Sequence, residues 1–204
     1  MLLISKAFAP DGISESTDYH LGMPDVVTRI TVFIASPGDV EDERRLVFEA
    51  VQDLNDAFAG AANFILESKG WERTSWPGFG VDAQDVINRE LGEYDIFVGM
   101  FWNRLGTPTA RAESGAVEGF RIAYERCTQN RRPLLMLYFR TSAANFLTVD
   151  EVDQKKKLLQ FKGTLNELGA LFFEYESLDQ FRRFITKHLA KELISFTKNW
   201  TWRI

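Results

Sequence analysis

Two side chains with a spacing suited to sugar chemistry, Ser114 and Glu118, follow a loop at the end of an apolar run. Residues four apart on a helix are neighbours, so a helix that begins near Ser114 holds the Glu118 carboxylate within its first turns. The positive end of the helix dipole stabilises a negative charge there, and such a carboxylate can act as a nucleophile or stabilise an oxocarbenium-like sugar carbon. Glu113 is the competing carboxylate, and a solvated Glu118 paired with Arg121 is the structural alternative.

The loop before this segment carries groups suited to a nucleotide. Trp102 offers an aromatic face for a base, and Arg104 and Arg111 offer guanidinium groups for a pyrophosphate. Thr107 on the same loop and Ser114 at its end are further candidate ligand contacts. Core packing of Trp102 and simple solvation of the arginines stay open as alternatives.

A second candidate loop, Ser36-Pro37-Gly38-Asp39, ends the first apolar run. It lacks the lysine of the GxxxxGK[ST] phosphate-binding motif, and the acidic residues at 41–43 would repel a phosphate at the start of the next helix. For Ser36 and Asp39 a ribose hydroxyl or a neutral ring is therefore the expected ligand group. A capped and charge-balanced helix start is the alternative interpretation of this loop.

Aromatic residues further along the chain form a third candidate. Trp71, Trp76 and Phe79 lie close to glycines and can form a flap over a crevice, with Trp76 as the predicted ligand contact. Hydrophobic filling beneath a long loop explains the same residues equally well.

The strands and helices that position these residues can be predicted from hydrophobic periodicity, because β-rich apolar runs alternate with segments of helical period. Strands are predicted at 30–35, 64–66, 94–100, 133–139 and 171–175. The second strand is the weakest prediction, together with the stretch 71–76 that leads into the loop 76–80. Helices are predicted from apolar stripes within 46–58, 86–91, 116–127, 158–168 and 181–193. The fold class is α/β, a flavodoxin-like three-layer sandwich with a five-stranded parallel sheet in the order 2-1-3-4-5. The connections that follow strands one and three leave the sheet in opposite directions. We therefore expect the ligand crevice between them, at 36–39 and 101–111.

Composition excludes several classes of function. The 204 residues are 45% apolar with a net charge of −5, which is typical of one globular domain and disfavours nucleic acid as a partner. One cysteine, Cys127, cannot form an internal disulfide, and the apolar runs are too short to cross a membrane, so we expect a cytoplasmic protein. His20 and His188 lie far apart, so no metal site is predicted. The predicted organisation is an extended lead-in at 1–28, one α/β domain at 29–196 and a tail at 197–204.

Four ordered blocks of the sequence resemble one known family. They are 30–44 (ITVFIASPGDVEDER), 77–88 (PGFGVDAQDVIN), 94–109 (YDIFVGMFWNRLGTPT) and 113–123 (ESGAVEGFRIA). Together they resemble a TIR-like (Toll/interleukin-1 receptor-like) domain of unknown function, found in bacterial STAND-type ATPases and other conflict-system proteins. The block Ser114-Gly-Ala-Val-Glu118 is also similar to the SGTxxE block of nucleoside 2-deoxyribosyltransferase-like proteins.

The resemblance implies a function for Glu118. In catalytic TIR domains a glutamate on the helix after the third strand serves cleavage of the nicotinamide–ribose bond of NAD, and Glu118 matches that position. Alanine at position 116 replaces the usual threonine, and the WCxxE form of many TIR domains is absent. The leading hypothesis is therefore a TIR-like effector of prokaryotic immunity or stress signalling that binds a nucleotide, NAD first, and hydrolyses its N-glycosidic bond without a cofactor.

Two rival functions stay open at this point. The first is a non-catalytic interaction module that self-associates or docks on a partner ATPase or sensor domain. The second is a nucleoside deoxyribosyltransferase-like enzyme.

Overall fold

Five parallel strands and their flanking helices make up the computed structural model, which describes residues 27–58, 63–70, 93–110 and 112–200, with side chains as far as residue 196. The strands are β1 (Thr28–Ala35), β2 (Phe64–Gly70), β3 (Ile96–Phe101), β4 (Leu134–Arg140) and β5 (Phe173–Tyr175). The helices of these described ranges are α1 (Glu41–Phe58), α2 (Gly115–Asn130), α3 (Val149–Glu167) and α4 (Leu178–Trp200).

The sheet has the order β2-β1-β3-β4-β5, which confirms the predicted flavodoxin-like topology. All neighbouring strands are parallel, with Val32 opposite Ile96 and Ile96 opposite Leu134 across the centre of the sheet. Every residue of β3 is buried, because helices cover both faces of this central strand. Its nearly continuous apolar sequence is the signal that predicted a central position.

Helices on the two faces of the sheet enclose separate hydrophobic cores. On one face α1 and α4 cover a core that includes Val47, Leu54 and Leu189. On the other face α2 and α3 cover an aromatic core that includes Phe97 and Phe120. Glu118 therefore belongs to a helix on the second face, whereas α1 approaches the same sheet edge from the first.

Some details differ from the sequence prediction. β2 extends to Gly70, well beyond the predicted 64–66, and β5 covers only three residues. Leu168, the last residue of the predicted helix, is 44% exposed, because α3 ends at Glu167 and Gly169 takes a positive φ of 68° that turns the chain away. Cys127 is only half-buried. The predicted lead-in and the helix at 86–91 lie outside the described residues.

Hydrogen bonds fix the start of α3 and α4. Thr148 and Glu151 form a reciprocal capping box that begins α3. A similar box at Ser177, the residue before α4, is half present: its hydroxyl accepts from the Gln180 amide at 3.3 Å, but the Gln180 side chain accepts from the Glu176 amide at 2.9 Å instead of from the Ser177 amide. No helix in the described part of the chain is long and apolar enough to cross a bilayer.

Candidate functional site

The loops that follow β1 and β3 are joined at the carboxyl edge of the sheet. Asp39 accepts hydrogen bonds through Oδ2 from the backbone amides of Asn103, at 2.9 Å, and Arg104, at 3.1 Å. Asp39 is thus the residue that ties the first candidate loop to the second. Both loops lie where the topology predicts a crevice, since strands β1 and β3 are neighbours and the chain leaves them in opposite directions.

Gln154 of α3 holds the second loop in place. Its side-chain oxygen accepts from the backbone amides of Leu105 and Gly106 at 3.2 and 3.3 Å, and it is 8% exposed. Gly106 has a φ of 114°, and a β-carbon there would lie 3.2 Å from Cβ of Ser114. The sequence reasoning missed Gln154. Its signal was available, because Gln154 lies four residues before Leu158 on the core-facing stripe of α3.

Glu118 lies in the first turn of α2 and is only 4% exposed. Its carboxylate oxygen Oε2 accepts a hydrogen bond of 2.7 Å from the Thr109 hydroxyl. Ser114, fully buried, is the N-cap of the same helix and accepts from the Val117 amide at 3.2 Å. The structure therefore brings Ser114 and Glu118 together as expected, and adds Thr109, for which the sequence offered no signal.

Two buried polar atoms beside the β1 loop have no hydrogen-bond partner among the described residues. They are the Ser36 hydroxyl and the second carboxylate oxygen of Asp39, Oδ1. A buried polar atom without a partner lowers stability, so such atoms are uncommon in folded proteins and often occur where a ligand or water supplies the missing bond. Both residues were predicted ligand contacts.

Trp102 packs away from Glu118. Its ring joins the core covered by α1 and α4, and its indole nitrogen donates to the Ser142 carbonyl at 3.0 Å. The guanidinium of Arg140 lies 4.3 Å from the ring centre. This arrangement agrees with the alternative that Trp102 packs in the core, because one face of the indole is already occupied by a cation.

A buried charge cluster extends from Arg140, and the sequence reasoning did not find it. Glu43, in the first turn of α1, is 1% exposed and accepts from Arg140 at 3.2 Å and from the Tyr175 hydroxyl at 3.0 Å. Burial and the neighbouring Glu43 carboxylate raise the pKa of Tyr175 above its ordinary range, so the phenol remains a donor. The cluster joins α1 to strands β4 and β5 at the carboxyl edge.

Lys155 of α3 is a further cation at this edge. Its ammonium donates to the Trp102 carbonyl at 2.8 Å and to the Asn103 side chain at 3.2 Å. Burial lowers its pKa, and the nearby Asp39 carboxylate opposes that change. Lys155 thus places positive charge beside the two joined loops, where the sequence analysis expected arginines.

The other predicted contacts lie at the surface or outside the described residues. Arg104, Thr107 and Glu113 are exposed. Arg104 lies near Glu151, whose pKa is lowered chiefly by backbone hydrogen bonds at the start of α3 and slightly by this arginine. Arg111 and Trp76, together with the rest of the predicted aromatic flap, fall outside the described residues.

The His188 side chain contacts aromatic residues of the sheet. Its Nδ1 lies 2.8 Å from the Tyr138 hydroxyl, and its ring centre lies 4.4 Å from that of Phe173. Burial, with Lys187 and Lys191 nearby, lowers the pKa of His188. The lowered pKa favours a neutral imidazole, in which the tautomer decides whether Nδ1 donates to the Tyr138 hydroxyl or accepts from it. Among the described residues no group of three or more potential ligands is arranged to hold a metal ion.

Comparison of the sequence with protein-family models and with curated proteins gives no match. The functional interpretation therefore depends on the site geometry and on the resemblance of the four sequence blocks.

Proposed function

We propose that this protein is a TIR-like domain that binds a nucleotide, NAD first among candidates, at the carboxyl edge of β1 and β3 and hydrolyses its N-glycosidic bond with Glu118. The observation that carries the proposal is the placement of Glu118, held by Thr109 in the first turn of α2 next to the Ser114 cap. The unpartnered oxygens of Ser36 and Asp39 support it, since ribose hydroxyls are donors and acceptors of matching type.

The proposed reaction needs a carboxylate and a water molecule. The bond between the nicotinamide nitrogen and the ribose carbon breaks, and its electron pair leaves with nicotinamide. Glu118 either stabilises the oxocarbenium-like ribosyl carbon or attacks it, and water then supplies the new hydroxyl and releases a proton. Because Glu118 is 4% exposed, the loop that carries Thr109 has to move before a sugar can reach the carboxylate.

The experiment is a product analysis of NAD incubated with concentrated protein. We expect nicotinamide and ADP-ribose from the wild type and a large loss of product with Glu118→Gln, which keeps the shape but removes the charge. Glu125→Gln, an exposed position on the same helix, is the matched control and keeps activity. Glu113→Gln tests the competing carboxylate, and deoxynucleosides as substrates test deoxyribosyl transfer. Undiminished product with Glu118→Gln contradicts the proposal.

A second candidate function is a non-catalytic interaction module. The observation that favours it is a row of exposed apolar side chains on α3, including Val149 and Leu159. Absence of product from NAD and from deoxynucleosides, combined with self-association, would favour this second function.

A further inference from the structure

The two carboxylate oxygens of Asp39 have different environments. Oδ2 accepts from two backbone amides of the loop after β3, whereas Oδ1 is buried and has no hydrogen-bond partner among the described residues. The hydroxyl of Ser36, three residues earlier in the same loop, is also buried without a partner in those ranges. Oδ2 of Asp39 therefore holds the two loops together, while Oδ1 lacks a bond that a ligand can supply.

The missing partner of Oδ1 has to be a neutral donor. An ionised carboxylate only accepts hydrogen bonds, so a phosphate oxygen cannot take this place. Glu41 and Asp42, exposed at the start of α1, disfavour any anion beside the loop. A second cation is disfavoured too, because Lys155 lies close enough for the Asp39 carboxylate to oppose the effect of burial on the pKa of this lysine. A hydroxyl or an amide N–H group remains.

The β1 loop lies beside the helix that carries Glu118. A β-carbon placed on Gly106 would lie within 4 Å of both the Pro37 and the Ser114 side chains. Pro37 belongs to the β1 loop, and Ser114 caps the helix whose first turn holds Glu118. A ribose whose anomeric carbon faces Glu118 carries hydroxyls on the next two carbons of its ring. Such hydroxyls are neutral donors of the required kind, and they belong to the sugar that the carboxylate would attack.

We propose that Oδ1 of Asp39 accepts a hydrogen bond from one hydroxyl of the ribose that faces Glu118 and that the Ser36 hydroxyl binds the adjacent one. The site then selects ribosides over deoxyribosides, which excludes deoxynucleosides as the substrate class. This assignment rests on the proposed function, because it takes a ribonucleotide as the ligand. Asp39 determines specificity and takes no part in breaking the glycosidic bond.

The test is calorimetric binding of NAD and of two analogues that lack either the 2′- or the 3′-hydroxyl of the nicotinamide ribose, measured in the cold to slow cleavage. We expect the wild type to bind one analogue about 10–100-fold more weakly than NAD, the value of a hydrogen bond to a charged group. Asp39→Asn keeps an oxygen for the two loop amides but places an amino group where Oδ1 was, so this ratio falls about 5–10-fold. Asp42→Asn is the matched control: it removes an exposed carboxylate that pairs with Arg45 and leaves the ratio unchanged.

The ratio separates a role in specificity from a purely structural one. If Asp39 only ties the loops together, Asp39→Asn weakens NAD and both analogues equally, and the unchanged ratio overturns the proposal. Ser36→Ala leaves the junction of the loops intact and serves as the second variant if Asp39→Asn does not fold. It should abolish a discrimination of about 2–10-fold against the other analogue, and its failure to do so also overturns the proposal.

Failure of the proposed function gives a different result. A wild type that binds NAD and both analogues equally overturns the assignment of Asp39 and Ser36 but leaves the proposed cleavage by Glu118 standing. A wild type that discriminates among the three ligands but releases no nicotinamide from NAD contradicts the cleavage alone. Absence of NAD binding overturns both.

Discussion

Removal of the Arg140 guanidinium tests how the buried Glu43 carboxylate is stabilised. Glu43 is 1% exposed, and the two side chains form a charged contact of 3.2 Å. Loss of one partner of a buried ion pair costs about 3–5 kcal/mol. The Arg140 side chain is 22% exposed, so we expect Arg140→Met to cost about 3 kcal/mol, the lower end of that range.

The assay is equilibrium unfolding by denaturant, with a thermal scan as the second measurement. A loss of about 3 kcal/mol corresponds to a decrease in Tm of roughly 6–12 °C for a chain of this size. The informative variant adds Glu43→Gln to Arg140→Met. The substituted side chain is uncharged but still offers an amide oxygen to the Tyr175 hydroxyl, so the double variant is expected to be about 1–2 kcal/mol more stable than Arg140→Met alone.

Non-additivity is the decisive result. Contacts of Arg140 with Trp102 and Ser142 are lost in both the single and the double variant, so they cancel in this comparison. Additivity is tested with Glu43→Gln alone as the fourth member of the cycle, and a double variant less stable than Arg140→Met means that removing the Glu43 charge relieves nothing. The carboxylate then does not depend on the arginine, and the reasoning is wrong.

Three further predictions concern the site and its supports. Thr109→Val removes the hydrogen bond to Glu118 and is expected to lower the free energy of unfolding by about 1.5–3 kcal/mol, whereas Thr109→Ser keeps the hydroxyl and most of the stability; denaturant unfolding compares them. Gly106→Ala places a β-carbon at a φ of 114° and 3.2 Å from that of Ser114, and should cost about 1–3 kcal/mol in the same assay. The folded-state pKa of His188 is lowered, so the unfolded chain binds more protons and stability falls as pH drops below about 6.5. Thermal scans at a series of pH values should show this loss of stability in the wild type and a smaller loss in His188→Gln.

Hydrophobic periodicity predicted the architecture because the central strands are apolar without interruption and the helices carry clear stripes. β3 is the plainest case, since all six of its residues are buried. β2 was underestimated because Glu67, Ser68 and Lys69 interrupt its apolar pattern, which an edge strand tolerates. The predicted end of α3 agrees with the structure to within one residue, since Leu168 is the C-cap of this helix and Gly169 takes a positive φ.

The site was only partly predictable, because its geometry depends on contacts between distant segments. Ser114 and Glu118 follow from local helix spacing, and the structure places them together. The bonds from Asp39 to the loop after β3 join residues more than sixty positions apart. Glu43 was interpreted as a dipole partner at the start of α1, and only the packing of β4 and β5 against that helix shows that it is buried with Arg140.

The most direct test of the proposed ligand site is calorimetric binding of NAD to the wild type and to Ser36→Ala. The buried Ser36 hydroxyl has no hydrogen-bond partner in the part of the chain that the structure describes, so its removal should leave the free energy of unfolding unchanged or slightly higher. If the hydroxyl binds the ligand, the same variant weakens NAD binding by roughly 2–10-fold, the value of one hydrogen bond. Unchanged affinity in Ser36→Ala, or no binding of NAD by the wild type at millimolar concentration, would contradict a nucleotide site at this edge of the sheet.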